Sequence, residues 1–143
     1  MSGGLVKNPA NEVVPLNVNT AGGLKVVPQN ASAVAVTIAN TASLSNALDL
    51  GEARAGALVL PAAFAWTAAG LSALVSHDGI TFVQLYDETD TLWSIATTNL
   101  VAGRARALPL TLFLPFRFLK FQSGTQAAPV AQLSDRVMQL VVN

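Results

Sequence analysis

The sequence predicts an all-β fold: an antiparallel β-sandwich, jelly-roll-like, of about eight strands with an extended N-terminal arm. Three observations predict it. Short apolar or alternating runs recur at spacings of about 8–12 residues, with turn residues between them. No segment sustains a helical period. The chain has no cysteine, so a disulfide framework or a thiolate metal site is excluded as the source of its order.

The elements follow in chain order. Residues 1–32 read as the arm. They carry only Lys7, Glu12 and Lys25 as charges and are rich in Asn, Pro, Gly, Ala and Val. Two echoing pieces, Val13-Val14-Pro15 and Val26-Val27-Pro28, flank the turn-forming Asn19-Thr20-Ala21-Gly22-Gly23. Proline confines such pieces to sheet edges or strand ends. A segment of this kind gains little by folding alone, because it has few apolar groups to offset its ordering entropy. Val13, Val14, Leu16 and Val18 are the residues expected to contact a neighbouring subunit or a shell beneath, as a strand added to an exposed sheet edge.

The sandwich is expected over residues 33–143. Val34, Val36 and Ile38 alternate with Ala35, Thr37 and Ala39, the period of a strand with one buried face. Leu44–Leu50 is a weaker strand, and 57–60 is a short apolar run closed by Pro61. Leu71–Ser76 and Thr81–Tyr86 flank His77-Asp78-Gly79, where glycine accepts positive φ and permits a hairpin turn. Leu92–Ile95 follows the acidic loop 87–90. Ala107–Leu110, Phe116–Phe121 and Val137–Val142 complete the set. In the Phe116–Phe121 run both faces hold apolar groups, as in a strand covered on both sides. Ala62–Ala69 has helix-friendly alanines but is too short for a helix and falls between strand signals, so at most one turn is expected there. The expected core comprises Val34, Val36, Ile38, Leu58, Leu60, Leu74, Phe82, Leu85, Trp93, Phe118, Leu119 and Leu140.

Charge narrows the function. The formal net charge is zero and only 11% of residues are charged, against about 25% in an average soluble domain. A chain without a basic excess is a poor match for nucleic-acid phosphates. Near-zero charge with 52% hydrophobic residues favours association into a symmetric homo-oligomer; a trimer is the first guess only because a shell lattice would offer three-fold positions. The sign is uneven along the chain. Residues 41–99 carry six acids against Arg54, whereas residues 100–143 carry five basic residues against Asp135. Internal ion pairs, or head-to-tail packing of copies, would each use that asymmetry. Residues 55–75 hold no charge, but Pro61, Gly70 and the many alanines argue for two strands and a turn, not a membrane span.

Catalytic options are few. His77 is the one histidine, and Ser76, His77 and Asp78 are consecutive in a turn, where a nucleophile–base–acid triad cannot form among them. No Gly-x-Ser-x-Gly elbow, phosphate loop or dinucleotide fingerprint is present. The chain is therefore read as a non-enzyme, with no catalytic, cofactor-binding or metal-binding residue assigned. Asp87, Glu88 and Asp90 offer hard oxygen ligands for a cation, with a solvated loop as the simpler reading. Trp66, Trp93 and Tyr86 would suit a sugar-stacking platform, although core packing is the commoner use of such rings.

Several stretches resemble small virion proteins of tailed-phage and prophage head-gene clusters. They are Leu48-Asp49-Leu50-Gly51, Leu60-Pro61-Ala62-Ala63, Trp66-Thr67-Ala68-Ala69, Ser76-x-Asp78-Gly79-x-Thr81-Phe82, Leu85-Tyr86-Asp87, Arg117-Phe118-Leu119-Lys120 and Ser123-Gly124-Thr125. The likeness covers roughly residues 43–142. The Ser-x-Asp-Gly and Arg-Phe-Leu-Lys features are also similar to discoidin-type jelly rolls, which bind sugars or lipids through loops at one end. The resemblance implies a capsid decoration (cement) or head-fibre protein on the outer surface of a phage head, with the major capsid protein as partner. The alternative it implies is a module of a head fibre or tail tip that binds a carbohydrate or receptor, with a host surface glycan as partner.

Overall fold

The computed structural model describes residues 32–143. Among the described residues there are nine strands: β1 (Ser32–Ile38), β2 (Leu48–Asp49), β3 (Ala55–Val59), β4 (Leu71–Ser76), β5 (Val83–Gln84), β6 (Ser94–Ile95), β7 (Ala105–Ala107), β8 (Phe118–Ser123) and β9 (Arg136–Val142). A single-turn helix, α1 (Leu110–Phe113), and a 3-10 turn, Thr97–Asn99, are the only helical pieces among the described residues. The fold is thus all-β, as the sequence predicts. One antiparallel sheet runs β1-β9-β3-β7; the other runs β2-β8-β4-β5, with β6 also on β4.

β5 and β6 lie along one edge of β4. Gln84 stands opposite Leu74, and Ser94 opposite Ser72. Between them Leu85 N–H donates to the Ala73 carbonyl, and Trp93 N–H donates to the Leu85 carbonyl. They are two halves of one strand, interrupted by the loop 86–92. Counted as one, the strands renumber to an order 1-8-3-6 facing 2-7-4-5. That is the strand order of a jelly roll, in which each sheet takes strands from both halves of the chain.

Parity explains what each strand buries. On β1 and β9 the even residues Val36, Ile38, Met138, Leu140 and Val142 are buried, and Val36–Met138 and Val34–Leu140 are cross-strand pairs. From the facing sheet come Leu71, Ala73, Val75, Leu119 and Phe121. Phe113 on α1 closes one end of this core, 1% exposed, with the Trp93 ring edge-on at 5.0 Å. Pro109 precedes the helix and fixes its own φ at −62°. Pro115 follows it and bars another turn.

Four differences from the expected core have local causes. Val34, Phe82, Trp93 and Phe118 are half-buried. Val34 sits near the start of an edge strand. Phe118 faces the outer side of β8, and Trp93 lies at the rim beside Phe113. Phe82 leaves the sheet in the turn 77–82, where its ring receives the Lys120 ammonium at 4.3 Å. Four strand expectations also change. Leu44–Leu50 shortens to Leu48–Asp49, and Leu92–Ile95 shortens to Ser94–Ile95. Ala107–Leu110 is a strand only to Ala107, because Pro109 starts the helix. Thr81–Tyr86 shortens to Val83–Gln84, because residues 77–82 form a longer turn than the Asp-Gly pair suggests.

That turn is built by Ser76 and Asp78. Asp78 Oδ1 accepts from the backbone N–H groups of Ile80 and Thr81, both at 2.9 Å, and from the Ser76 hydroxyl at 2.8 Å. These donors hold its carboxyl down at about 2. Gly79 adopts φ +78°, and a Cβ there would meet the Phe118 ring at 3.0 Å. A depressed carboxyl pKa stabilises the fold above the unfolded-state value near 3.8, and that contribution is lost as pH falls through about 2. Melting curves between pH 5 and pH 2 should therefore show an acid-dependent loss. It should be smaller in Asp78→Asn, which keeps the acceptor oxygen but cannot titrate. Equal losses in both proteins would mean that Asp78 plays no part in it.

Candidate functional site

The two sheets differ in what lies on their outer faces. On the four-stranded sheet the odd residues of β1 and β9 point outward, and register carries the rows across. Ala33, Val141, Ala57 and Ala107 form one row; Ala35, Gln139, Val59 and Ala105 form the next; Thr37 and Val137 begin a third. All ten are exposed or half-buried, none is charged, and Thr37 and Gln139 are the only polar side chains. The charged residues on these strands, Arg106 and Arg136, have the opposite parity. Arg106 stands opposite Leu58 and Arg136 opposite Ile38, both turned to the core side. Arg136 is held there by Gln132, Ser134 and Thr67. At the Val137 end a notch of about 180 Å³ adjoins the face, lined in part by Pro61, Phe64 and Asp135.

The outer face of the other sheet is closed by the protein's own loops. Ser72, Leu74 and Ser76 point outward from β4, yet each is at most 4% exposed. The Gly79 turn lies on Phe118, Phe82 lies on Lys120, and Arg117 covers the Phe118 ring from 5.0 Å. At the other end, Ser72 Oγ donates to the Gly124 carbonyl, and Gln126 N–H donates to Gln84 Oε1. Both faces of β8 are therefore covered, as its sequence implies.

The edges of the open sheet also differ. β7 is three residues long, which leaves little to pair with. β1 is seven residues long with neither charge nor proline, the devices that usually blunt an edge. Asn46 occupies its C-terminal half. Asn46 Oδ1 accepts from Thr37 N–H, Asn46 N–H donates to the Thr37 carbonyl, and Nδ2 reaches the Ala35 carbonyl at 3.4 Å. The odd residues of β1 thus direct their peptide groups outward. Toward the N-terminal end, the peptide groups of Ala33 and the Ala35 N–H face this same edge.

The other residues singled out from sequence fall as follows. Val13, Val14, Leu16 and Val18 lie outside the described residues. His77 is exposed in its turn, and the Ser76 hydroxyl engages Asp78 at 2.8 Å. Asp87 Oδ1 accepts from the Thr89 hydroxyl, Thr91 N–H and Thr89 N–H, which together lower its pKa. That carboxylate shapes its own loop, which forms one wall of a cleft of about 430 Å³ beside Pro109 and Leu112. The three sugar-platform candidates part company. Trp66 stacks on Phe64 at 5.5 Å and donates Nε1–H to the Ala69 carbonyl, Trp93 packs on Phe113 and Phe121, and Tyr86 is half exposed. The acidic and basic halves of the chain meet at Asp49–Arg117, a bidentate pair at 2.7 and 3.0 Å. Sequence reasoning missed the open face itself. Its clue was the run of alanines at outward positions.

No family model, curated protein or solved structure matches this chain. No helix among the described residues is long and apolar enough to cross a membrane.

Proposed function

We propose that this chain is a structural virion protein, a capsid decoration (cement) protein that covers a phage head as a symmetric homo-oligomer. The observation that carries the reading is the contrast between the two sheet faces. A sandwich that covers one outer face with its own loops has the means to cover the other. Leaving that face flat, uncharged and lined by Ala and Val suits burial against another protein surface, where small side chains let a broad surface approach. The zero net charge of the chain removes long-range repulsion between copies packed side by side. The resemblance to head-gene proteins supplies the setting, with the major capsid protein beneath and the outer surface of the head as location.

The test is binding to heads that lack the protein, read by co-sedimentation. The wild-type chain should bind in many copies per head. Val59→Lys and Val137→Lys place a charge on the face. As surface substitutions they should leave stability within about 0.5 kcal/mol, yet weaken binding at least about tenfold, because the ammonium would be buried unpaired. Full binding by both variants would remove the face from the interface. No binding by the wild-type chain would overturn the decoration reading.

A further inference from the structure

We infer that two copies of this chain pack side to side about a two-fold axis, with Arg104 of each copy seated in the Asp87–Glu88 cleft of the other. The inference rests on the homo-oligomer of the proposed function and gives it a contact and a symmetry. It does not depend on a head.

One side of the sandwich carries both halves of that contact. β7 ends one sheet, and β5 and β6 lie along the end of the other. The chain that follows β7 meets the loop between β5 and β6 there. Pro109, Thr111 and Leu112 form one wall of the cleft of about 430 Å³, and Asp87, Glu88 and Thr89 form the other. Pro109 and Leu112 suit the aliphatic stem of a long basic side chain, and the two carboxylates suit its charged head. Among the described residues no group of three acids or histidines could hold a metal ion, so a side-chain cation is the better match to this cleft.

The basic half stands at the other end of β7. Leu60 N–H donates to the Arg104 carbonyl, and Leu108 N–H donates to the Gly56 carbonyl. The ladder therefore holds the chain extended from Arg104 to Leu108, a span of roughly 14 Å at strand spacing. Arg104 has the core-side parity of Arg106 and Leu108, yet it is exposed, because on an end strand that parity opens onto the side of the sandwich. Among the described residues the one ion pair is Asp49–Arg117. Within residues 32–143 of one copy, the two charges of this side do not neutralise each other.

A side with a cation at one end and an acidic cleft at the other is complementary to itself after a half-turn. A two-fold axis makes each contact twice. Apolar side chains accompany the charges. Tyr86 adjoins Asp87, Leu110 adjoins Pro109 and Val101 shortly precedes Arg104, and they are 51%, 58% and 40% exposed. Exposed apolar groups rimmed by polar ones mark a protein contact. An unrelated basic partner would fill the cleft and leave Arg104 unmatched, whereas a second copy engages both.

The experiment is sedimentation velocity of the full chain, without heads, over a range of concentrations. The wild-type chain should form a dimer that weakens as salt is raised. Glu88→Arg and Arg104→Glu change exposed residues. Each alone should raise the dissociation constant at least about tenfold, because like charges then meet at both contacts. An equimolar mixture of the two variants should restore the wild-type constant, because in the mixed pair each cleft again faces a charge of opposite sign. That rescue excludes misfolding as the cause of the loss, and a ring of three could not alternate two variants and so would not be restored. A monomeric wild-type chain overturns the inference. So does an oligomer indifferent to both variants, or a loss that mixing fails to restore. A dimer that behaves as expected and ignores heads counts against the decoration reading alone.

Discussion

Phe121→Ala should destabilise the protein by about 3–5 kcal/mol, the cost of removing a large buried aromatic side chain. Against a total stability of about 5–15 kcal/mol, this is the largest single-residue loss expected from the core. Phe121 is fully buried on the inner face of β8. Its cross-strand neighbour on β4 is Ala73, small enough to admit the ring. Trp93 lies 6.4 Å away, centroid to centroid. The Phe121 backbone is pinned at Ser45, because its N–H donates to the Ser45 hydroxyl and its carbonyl accepts from Ser45 N–H. With the backbone held and only the Ala73 methyl opposite, the space is poorly refilled. Phe82→Ala is the control. That ring is half-buried over Lys120, so its removal should cost roughly 1 kcal/mol, near the centre of the range for point substitutions. Urea denaturation of the three proteins measures the difference. Equal costs would contradict the placement of Phe121 between the sheets and of Phe82 outside them.

These two residues also mark what the sequence could and could not disclose. β1, β4 and β9 are legible because their apolar patterns are long enough to fix strand and face together: alternation in Val34-Ala35-Val36-Thr37-Ile38, a continuous run in Leu71–Ser76. Phe121 shares the parity of Leu119, yet the expected core held Phe118 in its place, because apolar groups on both faces of that run leave the buried face undecided. Phe82 misleads because period alone cannot tell a strand from a turn that lays one ring back on the sheet. Phe113 was hidden for a related reason. It sits in one helical turn between two prolines, too short to show a period, and it is buried only because the fold brings Trp93 beside it. The division into β5 and β6 is legible in the acidic loop between them, but that the two are halves of one strand is not, since only β4 records that Gln84 and Ser94 lie along the same edge. The open face is the clearest case. Ala35, Gln139, Val59 and Ala105 are unremarkable in their own strands. They become a surface through pairings between residues far apart in sequence, and no local pattern encodes that order.

Gln132→Leu should cost about 3–5 kcal/mol, as much as the core phenylalanine, through a different mechanism. Gln132 is polar and fully buried, and every hydrogen-bonding group of its amide is used. Oε1 accepts from Thr67 N–H at 2.9 Å and from Arg136 Nε at 3.0 Å. Nε2 donates to Ser123 Oγ at 2.7 Å and to the Thr67 carbonyl at 3.3 Å. One side chain thus ties the 62–70 loop to β8 and to the start of β9. Leucine has a similar volume and accepts none of these bonds. It would leave the Thr67 amide, the Nε–H of Arg136 and the fully buried Ser123 hydroxyl without their Gln132 partner, although the terminal nitrogens of Arg136 keep Ser134 and Thr67. Each neutral group left so costs about 1–3 kcal/mol, and a charged one more. Coupling separates this account from simple misfit. Ser123→Ala alone removes one acceptor while Nε2 keeps the Thr67 carbonyl. In the double variant Ser123 no longer leaves an orphan, so the two costs should fall short of additivity by about 1 kcal/mol. A cost for Gln132→Leu below about 0.5 kcal/mol would mean that the loop can reach other partners. Strict additivity would mean that Gln132 and Ser123 act independently despite their contact.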